Sequence, residues 1–407
     1  MTGGDGEARR TVIILSASQA VVGSAAPIAI SLGALVGQHL LAADKSLATA
    51  PVTGFNVGVA LGALPAAAII RTVGHRHGFM TGCLVTALGG AIATASLYGA
   101  SFWAFAFGLL VIGLGGAFVQ QYRFAAADNA PPAFKPRAIS FVLAGGVFTA
   151  VIGPQIVIFT RELLAPVTFA GSFAAVILLG LAGMIILFWL RVPAKAGPTA
   201  DAANVAGSAR PLQEIVSQPR FVVALTCAVG AYTLMSFVMT GAPLAMVGCG
   251  FSPDEATLGI SWHVMAMFAP SFFTGRLISW FGKERIVAFG LLLLVACAVV
   301  ALTGIQLWQF WTSLILLGLG WNFGFIGATA MVADTYSESE KGKVQGFHDF
   351  VLFSAVALAS LLSGKVYNNW GWDMLNWVVF PVVLVCFAAL GVLALRVRAR
   401  RSATQFL

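Results

Sequence analysis

A chain whose apolar runs are long enough to cross a lipid bilayer has few folds open to it, and this chain contains twelve such runs. They cover residues 11–37, 47–70, 78–99, 102–124, 138–160, 166–190, 220–246, 255–280, 284–304, 308–332, 344–366 and 372–395. A helix crosses the hydrocarbon core in ~20 residues. Without water its backbone must satisfy its own N–H and C=O groups, so each run is expected to be helical. Charge scarcity points the same way: 59% of the 407 residues are hydrophobic and 9% charged, against about 25% charged in a soluble domain. The prediction is an all-α membrane protein with twelve transmembrane helices.

The N-terminal stretch "EARRTVIILSASQAVVGSAA" has the basic start and small residues of a signal peptide. Its apolar run continues past Pro27 to Gly37, so it is taken as the first span and not a cleaved leader. The connections are short except for residues 192–219, rich in Ala, Gly and Pro. That stretch divides the chain into a six-helix bundle at 1–191, a linker at 192–219 and a second six-helix bundle at 220–407. Of the 23 Lys and Arg, only Lys45, Arg123, Arg161 and Lys365 lie away from one set of loops and termini. By the positive-inside rule that side, with both termini and the linker, is cytoplasmic. The net charge of +8 is therefore a topology signal and implies no nucleic acid. The five cysteines show no CxxC or Cys/His spacing and are expected to be buried small hydrophobes.

The two halves echo each other. Span 4 ends "GLGGAFVQQYRFAAADNAPPAFKPRAIS" and span 10 ends "GLGWNFGFIGATAMVADTYSESEKGKVQG". Each has Gly-Leu-Gly, an Ala-Asp pair (Asp128, Asp334) and a basic residue nine positions on (Arg137, Lys343). The loop "IIRTVGHRHGF" after span 2 matches "LISWFGKERIV" after span 8, aligning Gly74 with Gly282, each followed by basic residues. Parallel six-helix repeats are a transporter signature.

On these motifs the chain resembles the major facilitator superfamily over essentially its whole length. The family's loop after span 2 carries a Gly, an acid-Arg pair, and a second Gly followed by two basic residues. Here Gly275, Gly282, Lys283 and Arg285 keep much of it in the second half. Gly74 and Arg76 keep part of it in the first, where Ala67 replaces the first Gly and Arg71 or its neighbours stand at the acid position. Loop pairing in the first half is then expected to use other partners, such as Asp128. The family's antiporter pattern in span 5 is reduced to Gly153-Pro154, which favours import over efflux. The phrases "WHVMAMFAPSFFTG", "GWNFGFIGATA" and "QGFHDFVLFSAVALASLLSG" resemble a bacterial subgroup mostly of unassigned substrate and associated with riboflavin-type uptake. The resemblance implies a monomeric transporter of the bacterial inner membrane that moves a small organic solute by alternating access. The alternatives are proton-antiport efflux, or a sensor or assembly factor that transports nothing.

Chemistry within the spans is then sought among ionisable groups, which are costly in lipid. No GxxxxGK[ST], HExxH or GxSxG motif is present, so neither an enzyme nor ATP-driven transport is expected, and no cofactor or metal is implied. Coupling to protons is expected instead. Asp349, about six residues into span 11, is a proton-binding carboxylate or a structural one paired with Arg123; His348 precedes it on another face. His263, about eight residues into span 8 between Trp262 and Met265, is a substrate or proton ligand, or a packing histidine. Arg123 holds an anionic group of the substrate or pairs with Asp128 or Asp349. By the resemblance, polar and aromatic residues on the first and fourth helix of each half line a central cavity: Ser16, Gln19, Gln120, Tyr232, Ser236, Trp321 and Asn322. Tyr232 and Ser236, four apart, share one helix face. The aromatic content favours a flat or amphipathic organic solute.

Overall fold

The computed structural model describes residues 3–41, 45–128, 135–191, 210–337 and 340–405, and its regular structure there is entirely helical. The helices are α1 (Gly3–Val22), α2 (Ala25–Leu40), α3 (Ala50–Tyr98), α4 (Phe102–Gln120), α5 (Tyr122–Asp128), α6 (Lys135–Thr160), α7 (Ala170–Phe188) and α8 (Leu212–Val216). They continue with α9 (Pro219–Gly248), α10 (Pro253–Phe268), α11 (Ser271–Phe281), α12 (Lys283–Leu302), α13 (Leu307–Ala333), α14 (Lys341–Trp377) and α15 (Val379–Gln405). Among the described residues, eight helical runs are long and apolar enough to cross a membrane, and α10 with α11, bent by 43°, makes a ninth.

At about 1.5 Å per residue, the 49 residues of α3 reach about 74 Å, far beyond the ~30 Å of hydrocarbon. The helix is two rods joined at Gly74, whose φ of 82° and ψ of 164° are not helical. Gly371 breaks α14 in the same way (φ 76°, ψ −172°). Gly282, between α11 and α12, has φ 87° and ψ 155°. Gly74 and Gly282 are the positions the internal repeat aligns, and they share one conformation that is essentially confined to glycine. No atom lies within 4 Å of a Cβ built at Gly74, so glycine is required there by backbone strain and not by a clash. The sequence predicts a loop here; the structure makes the turn with a single non-helical residue. The first span, predicted as one run, is one apolar run over Gly6–Leu40, with a short irregularity after Val22 where Ser24 Oγ donates to the carbonyl of Ala20 (2.7 Å).

The helices pack in two groups. In the first, α3 lies against α4 and α7, and α1 against α6 and α7; in the second, α12 lies against α13, and α9 against α13 and α14. One buried apolar cluster is drawn almost wholly from residues after 215, and two are drawn from residues before 190, one of which also takes in Leu244. The outward surface is apolar too, with Leu64, Phe159, Trp280 and Leu384 all exposed, as expected where lipid is the solvent. Four of the five cysteines are buried; Cys249, at the end of α9, is exposed and so departs from the expectation.

The groups meet through α2 against α9 and α10, α6 against α10, and α3 against α14. The polar contacts joining them lie toward one end of the molecule, called here the opposite face. Thr49 Oγ1 donates to the carbonyl of Leu361 (3.3 Å) and accepts from the Gly364 N–H (3.2 Å). Asn56 Nδ2 donates to Ser360 Oγ (2.7 Å), and Arg161 lies 3.3 Å from the Asp254 carboxylate. The Ser261 hydroxyl donates to the carbonyl of Ala150.

The other end, the basic face, carries an ion network within the second group. Lys283 donates to Asp334 and to the carbonyl of Ala330 (3.1 Å), and Arg220 pairs at 2.9 Å with both Asp334 and Glu284. Partial burial opposes ionisation of Asp334, but Lys283 and Arg220 outweigh it and hold the carboxyl below its usual range. Arg285 is exposed, and a Cβ at Gly275 would meet open space. In the first group Arg76 stacks over the Phe188 ring at 4.3 Å. The side chains of Asp128 and Arg137 lie outside the described residues, so the pairing expected of Asp128 is not visible. Beside this network, Arg210 grips Glu340 through Nε (2.9 Å), Nη2 (2.8 Å) and its backbone N–H (3.0 Å). Lys343 donates to the carbonyl of Arg210.

The Arg210 guanidinium, then the Ser337 N–H, hold the Glu340 carboxyl far below its usual value of 4.5. A carboxyl depressed in the folded state contributes stability above its unfolded pKa and loses it as pH falls through the folded one. Glu340→Gln is therefore expected to lower the melting temperature of the purified protein at neutral pH, with the gap to wild type narrowing in acid below about pH 4.5.

Candidate functional site: a central cavity between the two groups

Between the groups lies a cavity of about 160 Å³, below the 300–1,000 Å³ usual for ligand clefts. Its polar wall comes from the first group: Gln19, Asn56, Thr86, Gln120 and Thr149. The two threonine hydroxyls bond carbonyls of their own helices, which leaves three carboxamides as the principal polar groups there. The second group supplies Tyr232, Ser236, Met235, Met239, Met267, Phe268 and Phe353. No charged residue lines the cavity among the described residues.

The aromatic wall is a packed cluster. Tyr232 meets Trp321 (5.3 Å), Phe325 (5.0 Å) and Phe353 (6.0 Å) edge to face. Trp321 stacks on Phe325 at 5.2 Å and lies 6.2 Å from Phe268. The four-residue spacing of Tyr232 and Ser236 brings both to the cavity. Ser236 Oγ lies 2.9 Å from Ser360 Oγ. Trp321 stands behind Tyr232 and Phe268 as a buried support for their rings and not as a lining residue.

Other candidates are elsewhere. His263 is fully buried, and its Nδ1 lies 2.8 Å from the carbonyl of Leu314 on α13. A carbonyl only accepts, so Nδ1 carries a proton, and Nε2 is buried with no hydrogen-bond partner among the described residues. The ring faces a neighbouring helix and not the cavity, and Trp262 beside it is exposed, also away from the cavity. Asn322 is fully buried: Nδ2 donates to the Met267 carbonyl (2.7 Å) and Ser271 Oγ (2.8 Å), and Oδ1 accepts from Thr274 (2.6 Å). It thereby satisfies the carbonyl released where Pro270 breaks α10 from α11, a structural task and not a solute contact. Ser16 lines a separate groove of about 780 Å³ between α1 and α6.

One turn beyond Gln120, toward the basic face, Arg123 lies over the Phe124 ring (4.8 Å), with Nε unpartnered. Among the described residues it forms no ion pair; Asp349 and Tyr232 are its electrostatic neighbours across the groups. The Asp349 carboxylate, expected about six residues into span 11, is 58% exposed and accepts from His348 Nδ1 at 3.0 Å. His348 is buried, on another face as expected, yet its ring reaches back to its neighbour. Asn56, Ser360 and Phe353 were not among the sequence candidates. Asn56 and Ser360 are polar residues within apolar spans 2 and 11, a signal missed by limiting the search to the first and fourth helix of each half.

These placements carry a prediction. Asn322→Ala leaves buried groups unpaired and is expected to cost about 1–3 kcal/mol of stability, read as a lower melting temperature. His263→Ala should likewise lower the melting temperature yet leave the pH profile of transport unchanged between about pH 5 and 8. A flattened profile would return the histidine to the site.

The Major Facilitator Superfamily model matches residues 11–303 and 224–405. Riboflavin transporter RfnT of Brucella anthropi is 50% identical over 94% of this chain and 95% of its own. MFS-type transporter YdeG of Bacillus subtilis is 30% identical over 92% and 91%. In fold, the chain matches the partially occluded inward-open xylose transporter XylE of Escherichia coli with a TM-score of 0.70 at 12% identity, covering 94% of this chain and 96% of that one. It matches the human organic anion transporter MFSD10 with a TM-score of 0.65 at 18% identity, covering 94% and 99%. Two helix groups about a central cavity, a family model along the whole chain and a half-identical relative agree: the chain belongs to the major facilitator superfamily, whose members are transporters and not enzymes.

Proposed function

We propose that this protein imports an uncharged, flat heteroaromatic solute of the riboflavin type, as a monomer, across the inner membrane of a bacterium. The chain would cross twelve times, in bundles at 1–191 and 220–407, with both termini and the 192–219 linker in the cytoplasm and the basic face inward. The 50% identity to a riboflavin transporter over nearly the full length of both chains carries the reading. The cavity supports it: aromatic rings and thioethers suit a flat ring system, and carboxamides on the facing wall suit its polar edge and a hydroxylated tail. A lining without fixed charge disfavours an ionic solute, because an unpaired charge is costly to desolvate. The small volume fits an occluded conformer that widens to load.

Proton coupling is assigned to Asp349 with His348 and Arg123. Asp349 is exposed while the groups are joined at the opposite face; closing the basic face would bring it to Arg123, which forms no ion pair among the described residues. A carboxylate that meets water in one state and a guanidinium in the other binds its proton differently in each, as coupling requires. The reduced span 5 pattern, Gly153-Pro154, supports import.

Two outcomes test this. In proteoliposomes, riboflavin should exchange in counterflow, and its 5′-phosphate should compete at least about tenfold more weakly, since 1.4 kcal/mol is less than the cost of one unpaired charge. Equal competition by the phosphate would count against the uncharged class, and no exchange against the substrate. Asp349→Asn should keep counterflow but lose accumulation driven by a proton gradient. An Asn variant that still accumulates solute removes Asp349 from coupling.

A further inference from the structure

We infer that Asn56 is the residue through which a bound solute releases the seam closing the opposite face; the inference rests on the solute reading above. Asn56 belongs to both structures at once. It lines the cavity, and its Nδ2 donates across the groups to Ser360 Oγ at 2.7 Å. Ser360 is saturated: its hydroxyl donates to the carbonyl of Val356 (3.0 Å), so it accepts from both Asn56 and Ser236, the latter at 2.9 Å. Ser236 also lines the cavity. Two turns away on the same helix, Thr49 makes the next rung with Leu361 and Gly364. The approach there is close, since a Cβ at Gly364 would stand 2.5 Å from Thr49 Oγ1. Beyond it lies the Arg161–Asp254 pair. Asn56 is thus the rung nearest the solute.

The chain Asn56–Ser360–Ser236 has no spare hydrogen-bonding capacity at its centre. A solute with a donor beside an acceptor, as at an imide edge, matches a carboxamide with two parallel hydrogen bonds. To make both, the amide turns the edge that carries Oδ1 and the N–H beside it toward the solute, and that turn swings Nδ2 out of reach of Ser360. The bond that closes the face is then exchanged for one that exists only with solute bound, which is the differential interaction a population shift needs.

Leu244 provides a reporter, because this residue of α9 is buried in the apolar cluster of the first group. Leu244→Cys in a Cys249→Ser background removes the exposed native thiol, and a membrane-impermeant maleimide reads opening of the seam. Riboflavin should speed labelling of the reporter protein. Asn56→Ala should raise the solute-free rate about two- to tenfold, the worth of one net hydrogen bond, and abolish the further response to riboflavin. Ser360→Ala, which leaves the Asn56 carboxamide in the lining, should raise the solute-free rate similarly and tighten riboflavin binding by up to about tenfold, because the solute no longer competes for Nδ2. Asn56→Ser guards against misfolding of the alanine variant and should behave like it. Solute-free rates equal to the reporter's in both Asn56→Ala and Ser360→Ala would overturn the inference. Failure of riboflavin to bind the unmodified protein would instead sink the substrate reading, with the solute-free rates still deciding whether the rung holds the seam.

Discussion

Every backbone N–H and C=O in the apolar layer must find a partner inside the protein, and the architecture follows from meeting that demand wherever a helix stops or bends. Three turns, at Gly74, Gly282 and Gly371, divide long helical stretches through a glycine at positive φ. The break at Pro270 is different, because it falls inside a span. There the Met267 carbonyl is met by a side chain from another helix, Asn322, which Ser271 and Thr274 hold in place. A polar residue deep in a span can therefore be the consequence of a helix break some fifty residues away in sequence.

That is also why the fold was legible in the sequence and much of the site was not. Length and apolarity identify helical runs without knowledge of their neighbours. Gly74 and Gly282 could be aligned because both halves need the same backbone conformation at the same turn. His263 and Asn322 carry no such local signature. Polarity within a span says that a partner exists, but not whether it is a solute, a carbonyl of α13 or a hydroxyl of α11. Tyr232 and Ser236 were found because a four-residue spacing is a statement about one helix. Asn56 was missed because its role depends on Ser360, some three hundred positions away, across the interface between the groups.

The cavity is chemically lopsided. Carboxamides come from the first group, while the thioethers and all the lining aromatic rings but Phe55 come from the second. A solute that satisfies only one wall gains nothing from the other, so a ligand bridging both must carry a flat apolar body and a polar edge. Ionisable groups are held apart from this chamber. Arg123 lies one turn past Gln120, and Asp349 one turn short of Phe353, both toward the basic face. Solute chemistry and charge chemistry thus occupy successive levels of the same interface.

That separation has a mechanical consequence. Here the contacts near the opposite face are made, while among the described residues Arg123 forms no ion pair and Asp349 is exposed, accepting from His348. Two groups that rock about the cavity cannot tighten both ends at once. Bringing Arg123 to Asp349 would draw α5 toward α14 at one end and part Thr49 and Asn56 from α14 at the other. The contacts nearest the cavity on each side differ in kind: on one side neutral hydrogen bonds at Asn56 and Thr49, on the other two opposite charges. On the proposed function, a bound solute acts at one end and a proton at the other through the same helix, α14, which carries Asp349, Phe353 and Ser360 within about three turns. The proposed coupling of solute to proton needs no pathway beyond the rigidity of that rod.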